Sequence, residues 1–144
     1  ISGFNISDEI YDIIDEIYKR KQRYVILKFN DEYTNLVVVK KGGRESIYNE
    51  VHEYVTTECA KSFCYVYFDF NYKTHGGQAR DKVVCLKMGI PEQTPIKEKM
   101  IYASAYKSLQ DSTKSIINID CTDKASFEFN YIVNILLTKH ESTN

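Results

Sequence analysis

The side chains that most often carry chemistry in proteins are scattered along this sequence. Its four cysteines and three histidines form neither a CxxC pair nor a metal-ligand spacing: Cys59, Cys64, Cys85, Cys121, His52, His75 and His140. Walker A, GxGxxG, GxSxG and HExxH motifs are absent from the sequence. The sequence therefore predicts a protein that is not an enzyme and needs no metal or cofactor. Reduced core cysteines are expected, with disulfides or a bound metal as the alternatives.

A different kind of chemistry, recognition of another protein, is indicated by TPIKEKMIYASAYKSLQ, residues 94–110. At 100° per residue, one arc forms a core-facing stripe of Ile101, Tyr102, Ala105 and Leu109. The opposite side carries Ile96, Met100, Ala103 and Lys107, flanked by Lys97, Lys99 and Ser104. A flexible thioether suits an apolar cleft, and lysines around it suit an acidic rim, so this face predicts a protein contact centred on Met100. The alternative is an exposed methionine without function.

The scaffold that must position these residues is predicted by apolar periodicity to have the order α-β-β-α-β-β-α-β-α. Helices are predicted over 8–21, 46–57, 95–112 and 126–140, and strands over 23–30, 36–41, 62–70, 82–88 and 115–119. Ser7 and Thr94 are the predicted caps of the first and third helices, and bases are expected in the last turn of the first. The second helix is predicted to bury Ile47. A sheet with helices on both faces is the architecture that this order favours.

Length and charge limit the class of protein. The 144 residues predict one domain over 1–144. The net charge of −1 offers no basic field for nucleic acid. No apolar run reaches the length of a membrane span, and no secretory signal opens the sequence, so a cytoplasmic protein is expected.

The segment PIKEKMIYASAYKSL, residues 95–109, resembles the signature of the ADF/cofilin family, in which a Pro, two lysines, a Met and a YAS tripeptide open the long actin-binding helix. SGFNISD, residues 2–8, and SFCYVYFDFNY, residues 62–72, resemble two further family segments. The resemblance implies an ADF-homology domain of the α/β class, with a five- to six-stranded mixed sheet between helices. Its long helix would enter the cleft between two actin subdomains. The positions that carry over are Ser2, Gly3, Lys97, Lys99 and Met100, joined by Ile96 and Ser104 on the same helix face.

A second actin contact is implied for members that bind filaments, on a hairpin and the last helix. The hairpin basic residues here are Lys73, Arg80 and Lys82. The last helix departs from the family, because its predicted exposed face carries Asn134, Ile135 and Thr138 in place of charges. It is apolar nearly all round, which predicts burial. We therefore expect filament binding and severing in which the hairpin contributes more than usual.

Regulation is also implied by the resemblance. Ser2 matches a phosphorylation site, where added phosphate would oppose an acidic partner. Relatives bind phosphatidylinositol bisphosphate in competition with actin, and Lys97 and Lys99 are the candidate contacts. The basic run KRKQR, residues 19–23, is either a solvated helix end or a patch for nuclear import or anionic lipid.

The function that the resemblance implies is binding of ADP-actin monomers and of filaments by a monomeric protein of the cytoplasm and cytoskeleton, with nuclear entry as a further expectation. Such a protein would sever and depolymerise filaments and slow nucleotide exchange on monomers. Two alternatives stay open. One is a coactosin-like filament binder that does not depolymerise, and the other is a phosphoinositide-binding adaptor on the same fold.

Overall fold

A computed structural model describes residues 3–58, 61–113 and 116–141. Within these ranges it contains the predicted four helices and five strands, in the predicted order. The helices are α1 (Asp8–Tyr18), α2 (Tyr48–Glu58), α3 (Ile96–Ser112) and α4 (Phe129–Lys139). The strands are β1 (Tyr24–Phe29), β2 (Leu36–Gly42), β3 (Cys64–Lys73), β4 (Ala79–Met88) and β5 (Ile117–Cys121). Two short 3-10 turns cover Pro91–Gln93 and Ala125–Phe127.

The sheet is mixed and has the strand order β2-β1-β3-β4-β5. Neighbours are antiparallel except β4 and β5, which are parallel. Because parallel neighbours need a long crossover, α3 connects β4 to β5 across one face of the sheet. Residues of α1 and α3 share one apolar cluster, and residues of α2 and α4 share the other. The predicted sheet with helices on both faces is therefore confirmed.

The central strand β3 joins the two cores. Val66 and Phe68 belong to the cluster with α2 and α4, whereas Tyr65 and Tyr67 belong to the cluster with α1 and α3. A strand covered on both faces has no polar alternation, which explains the unbroken apolar run in this part of the sequence. The hydroxyl of Tyr65 donates to the backbone carbonyl of Tyr102, so β3 also holds α3 directly.

The cysteines that the structure describes are core residues, as predicted. Cys64, Cys85 and Cys121 are buried thiols. Burial raises the pKa of Cys85 and of Cys121 to about 12, so both stay protonated and unreactive near neutral pH. Cys59 lies outside the described residues. In the described part of the chain, no helix is long and apolar enough to cross a bilayer.

Of the two predicted helix caps, Ser7 is the N-cap residue of α1 as predicted, whereas Thr94 is not that of α3. Ser7 precedes α1 in an extended conformation, but its side chain makes no capping hydrogen bond. Thr94 follows the turn Pro91–Gln93, and its hydroxyl donates to the carbonyl of Ile90 at 2.9 Å. The residue at the N-cap of α3 is Pro95, one position later than predicted. The hydroxyl of Thr94 thus stabilises the turn that leads into α3.

Three predictions about helix surfaces are also wrong. The last turn of α1 contains no basic residue, because the helix ends at Tyr18 before the basic run. Ile47 precedes the first turn of α2 and is 62% exposed. On α4, Ile132 and Leu136 are buried, but Ile135 packs partly against the same core and does not lie on the exposed face. The helix therefore rests on the sheet along one side and is not enclosed.

Candidate functional site

The two-faced character predicted for residues 94–110 is confirmed by α3. Tyr102, Ala105 and Leu109 are buried in the core. On the opposite face, Ile96 and Met100 are 71% and 65% exposed. Two large apolar side chains one helical turn apart form an exposed patch that a plain solvated helix would not have.

Met100 lies at a surface cavity of about 650 Å³ between α3, the N-terminal segment and the turn that joins β1 to β2. Its lining consists of Gly3 and Phe4, residues 32–34 of the turn, and Ile96, Lys97, Met100, Ile101 and Ser104 of α3. The structure thus brings together five of the predicted monomer-binding residues. Lys99 lies on the other flank of α3 and is half-buried, and Ser2 lies outside the described residues.

The N-terminal segment is held beside α3 by backbone hydrogen bonds. The N–H of Asn5 donates to the carbonyl of Thr34 at 2.7 Å, and the N–H of Leu36 donates to the carbonyl of Asn5 at 3.1 Å. The Phe4 ring packs edge-on against Phe29, with 5.8 Å between ring centroids. The N-terminal segment and the turn therefore line the same side of the cavity.

A buried carboxylate that the sequence interpretation missed positions the start of α3. Glu98 accepts hydrogen bonds from the Ser62 hydroxyl at 2.7 Å and the Phe63 N–H at 3.0 Å. Its other oxygen accepts from the Tyr33 hydroxyl at 2.7 Å. This hydrogen bond, together with burial, raises the pKa of Tyr33 to about 12. Glu98 thereby ties α3 to two loops that are far away in the sequence.

Tyr33 is the second residue that the sequence interpretation missed. It has a φ of 58°, which is uncommon for a residue other than glycine. The ammonium group of Lys97 lies 5.7 Å from the centre of its ring, within the range of a cation–π contact. An aromatic residue inside the otherwise polar turn DEYTN is the sequence signal that points to it.

We expect Glu98→Gln to lower the free energy of unfolding by about 1–3 kcal/mol, because an amide leaves part of this buried hydrogen-bond set unmade. Urea denaturation measures the effect. Glu92→Gln is the matched control, since Glu92 is exposed and the chemical change is identical. Equal stability of the two variants would show that the network around Glu98 does not hold α3.

The second predicted surface lies at the β3–β4 hairpin. Lys73 is the last residue of β3, and Arg80 and Lys82 belong to β4, so the loop proper covers only residues 74–78. Arg80 pairs with Tyr72 across the two strands. The three predicted basic residues therefore lie on the two paired strands of one hairpin.

The neighbouring helix α4 presents no charge at the positions that the sequence interpretation singled out. Asn134 and Thr138 are exposed, and the Thr138 hydroxyl donates to the Asn134 carbonyl at 2.9 Å. Lys139 and His140 come only at the end of the helix. The basic character of this surface therefore comes from the hairpin.

One apolar helix face and one basic hairpin, both held by the same sheet, are features typical of a protein that binds other proteins. The family model described as "Cofilin/tropomyosin-type actin-binding protein" matches residues 3–136. The chain belongs to this family, so the predicted ADF/cofilin relationship is confirmed.

Individual relatives agree with this assignment. The chain is 30% identical over 127 residues to actophorin of Acanthamoeba castellanii, covering 87% of this chain and 88% of the relative. Its fold is similar to that of actin depolymerization factor 2 of Plasmodium berghei, with a TM-score of 0.77, 25% identity and coverage of 96% and 99% of the two chains. A coactosin from Entamoeba histolytica has a TM-score of 0.77 at 16% identity, covers 99% and 100% of the two chains, and shows likeness of fold alone.

Proposed function

We propose that this protein binds ADP-actin monomers through the Met100 face of α3 and filaments through the β3–β4 hairpin. It severs and depolymerises filaments and slows nucleotide exchange on monomers. The observation that carries the proposal is the cavity at Met100, where an exposed apolar patch meets Lys97 and the anchored N-terminal segment. The protein acts in the cytoplasm and cytoskeleton, where its partner is found.

The monomer contact has the composition expected of an interface centre. Met100 and Ile96 supply apolar area, and Lys97 and Lys99 supply positive charge at the rim. Positive charge on a rigid helix speeds and orients association with an acidic partner. A protein that binds one conformation of actin more tightly than another shifts actin toward that conformation, by an amount set by the ratio of the two affinities. Binding alone can therefore alter nucleotide exchange and filament stability.

The filament contact is tested by Arg80→Ala combined with Lys82→Ala. We expect co-sedimentation with filaments to weaken about tenfold, because the hairpin must supply charge that α4 lacks. Monomer binding should stay unchanged. The matched control is Lys40→Ala combined with Lys41→Ala, which removes two exposed lysines from the edge strand β2. If the hairpin variant pellets as well as this control, the proposed filament surface is wrong.

A coactosin-like filament binder is the second candidate, because a coactosin from Entamoeba histolytica shares this fold. Native gel shift and nucleotide exchange on ADP-actin separate the candidates. The proposed protein shifts monomers and slows exchange. A coactosin-like protein pellets with filaments and leaves monomers unchanged. A phosphoinositide adaptor neither pellets with filaments nor shifts monomers.

A further inference from the structure

The basic pair of the hairpin is already engaged inside the molecule. Arg80 Nε donates to Oε1 of Glu141 at 3.0 Å, and the ammonium group of Lys82 lies 3.9 Å from Oε2. Glu141 follows α4, in which Lys139 at the end is the one charged residue. Its side chain is only 7% exposed, whereas those of Arg80 and Lys82 are 39% and 35% exposed. A carboxylate thus sits beneath the two cations proposed to contact a filament.

The carboxylate of Glu141 is also fixed in place. The hydroxyl of Tyr72, which pairs with Arg80 across the hairpin, donates to Oε2. This hydrogen bond and the neighbouring cations lower the pKa of Glu141, so the group stays negatively charged at neutral pH. Tyr72 belongs to the core cluster, so the arrangement is anchored to the sheet.

Each of the three nitrogens of the Arg80 guanidinium group donates one hydrogen bond in this arrangement. Its terminal nitrogens donate to the Gln78 side chain at 2.9 Å and to the Ala79 carbonyl at 3.2 Å, and its Nε donates to Glu141. If Arg80 meets a partner's carboxylate through Nε and one terminal nitrogen, it must give up the bond to Glu141, because Nε carries a single N–H. The energy of filament binding at this site is therefore a difference between two sets of contacts.

We propose that Glu141 sets the balance between monomer and filament binding, by holding Arg80 and Lys82 in an ion pair that a filament must displace. The inference rests on the filament contact proposed above. The ion pair lies on the side of the sheet that carries α4, whereas the monomer face lies on α3 across the sheet. Loss of the Glu141 charge therefore changes filament affinity and leaves monomer affinity as it is.

The test is Glu141→Gln, which keeps the size of the side chain and an acceptor for Tyr72 but removes the charge. We expect the Kd for ADP-actin filaments in co-sedimentation to fall about two- to fivefold, the range for release of a partly exposed ion pair. Glu58→Gln, at the exposed end of α2, changes the net charge equally and should leave the Kd unchanged. In the background of Arg80→Ala with Lys82→Ala, Glu141→Gln should give no gain, because nothing remains to be released.

Titration with ADP-actin monomers gives the concentration of folded, binding-competent protein for each variant. The filament Kd is calculated from that concentration, so partial unfolding of Glu141→Gln does not change it. An unchanged filament Kd for Glu141→Gln would overturn the inference, and a higher Kd would overturn it and show that Glu141 orients Arg80 for binding. If the wild-type protein pellets but Glu141→Gln gains nothing, the inference alone fails. If neither pellets, the proposed filament contact fails with it.

Discussion

Replacing Met100 by glutamate is expected to weaken binding to ADP-actin monomers about 100-fold, or about 2.7 kcal/mol. Met100 is the central apolar side chain of the proposed contact and is 65% exposed in the free protein. A buried carboxylate without a partner carries a desolvation cost, and a like charge against an acidic partner adds repulsion. The change in native gel shift, and loss of the slowing of nucleotide exchange, measure the effect.

The matched control for this prediction is Ile47→Glu. Ile47 is 62% exposed, so the same apolar-to-acid change is made at a similar degree of exposure. It precedes α2 on the other side of the sheet from α3. Both variants should keep the wild-type unfolding midpoint in urea, because neither side chain is in the core. If Met100→Glu binds monomers as well as Ile47→Glu does, the Met100 face is not the contact surface.

Local features of α3 are predictable from the sequence, and its distant partners are not. Once Tyr102 and Leu109 set the inward direction, the helical period fixes the outward direction of Met100. Glu98 falls within the same inward arc as Tyr102, so a carboxylate there signals a buried polar contact. Its partner Tyr33 lies in another turn of the fold, however, and only the closed structure brings the two together.

The same distinction explains the errors elsewhere in the fold. Ile47 fits the apolar stripe of α2, but the helix begins one residue later, and residues at a helix boundary do not follow its period. On the hairpin, Arg80 and Lys82 are identified by their motif. Glu141 carries no such signal, because its role depends on how the end of α4 meets β4 in three dimensions.

The basic run 19–23 has a structural role that its composition does not indicate. Arg20 has a φ of 64° immediately after the C-cap of α1, a position where glycine is common. Its N–H donates to the Ile17 carbonyl at 3.0 Å, and the N–H of Lys21 donates to the Glu16 carbonyl at 2.8 Å. These two bonds are the Schellman pattern that ends a helix. The unfavourable backbone of Arg20 persists because its side chain is fixed elsewhere.

The group that fixes Arg20 is Asp69 on β3, whose side chain is fully buried. Arg20 Nε lies 3.3 Å from Oδ2 of Asp69, and Arg44 Nη1 lies 3.0 Å from the same oxygen. Arg23 donates to the Asp69 carbonyl at 3.0 Å. Two arginines of the run 19–23 thus point toward the sheet, which favours a structural interpretation of the run over a patch for nuclear import or lipid.

Asp69→Asn is expected to lower the free energy of unfolding by about 2–4 kcal/mol, because Arg20 and Arg44 lose the charge that they share. This loss is somewhat smaller than the roughly 3–5 kcal/mol typical of breaking a buried ion pair. The reason is that both arginines are about one third exposed and can reach water. Asp15→Asn is the matched control, because the exposed pair of Asp15 and Lys19, at 2.8 Å, should contribute less than about 1 kcal/mol. Urea denaturation of both variants gives the comparison, and equal losses would mean that the arginines do not depend on Asp69.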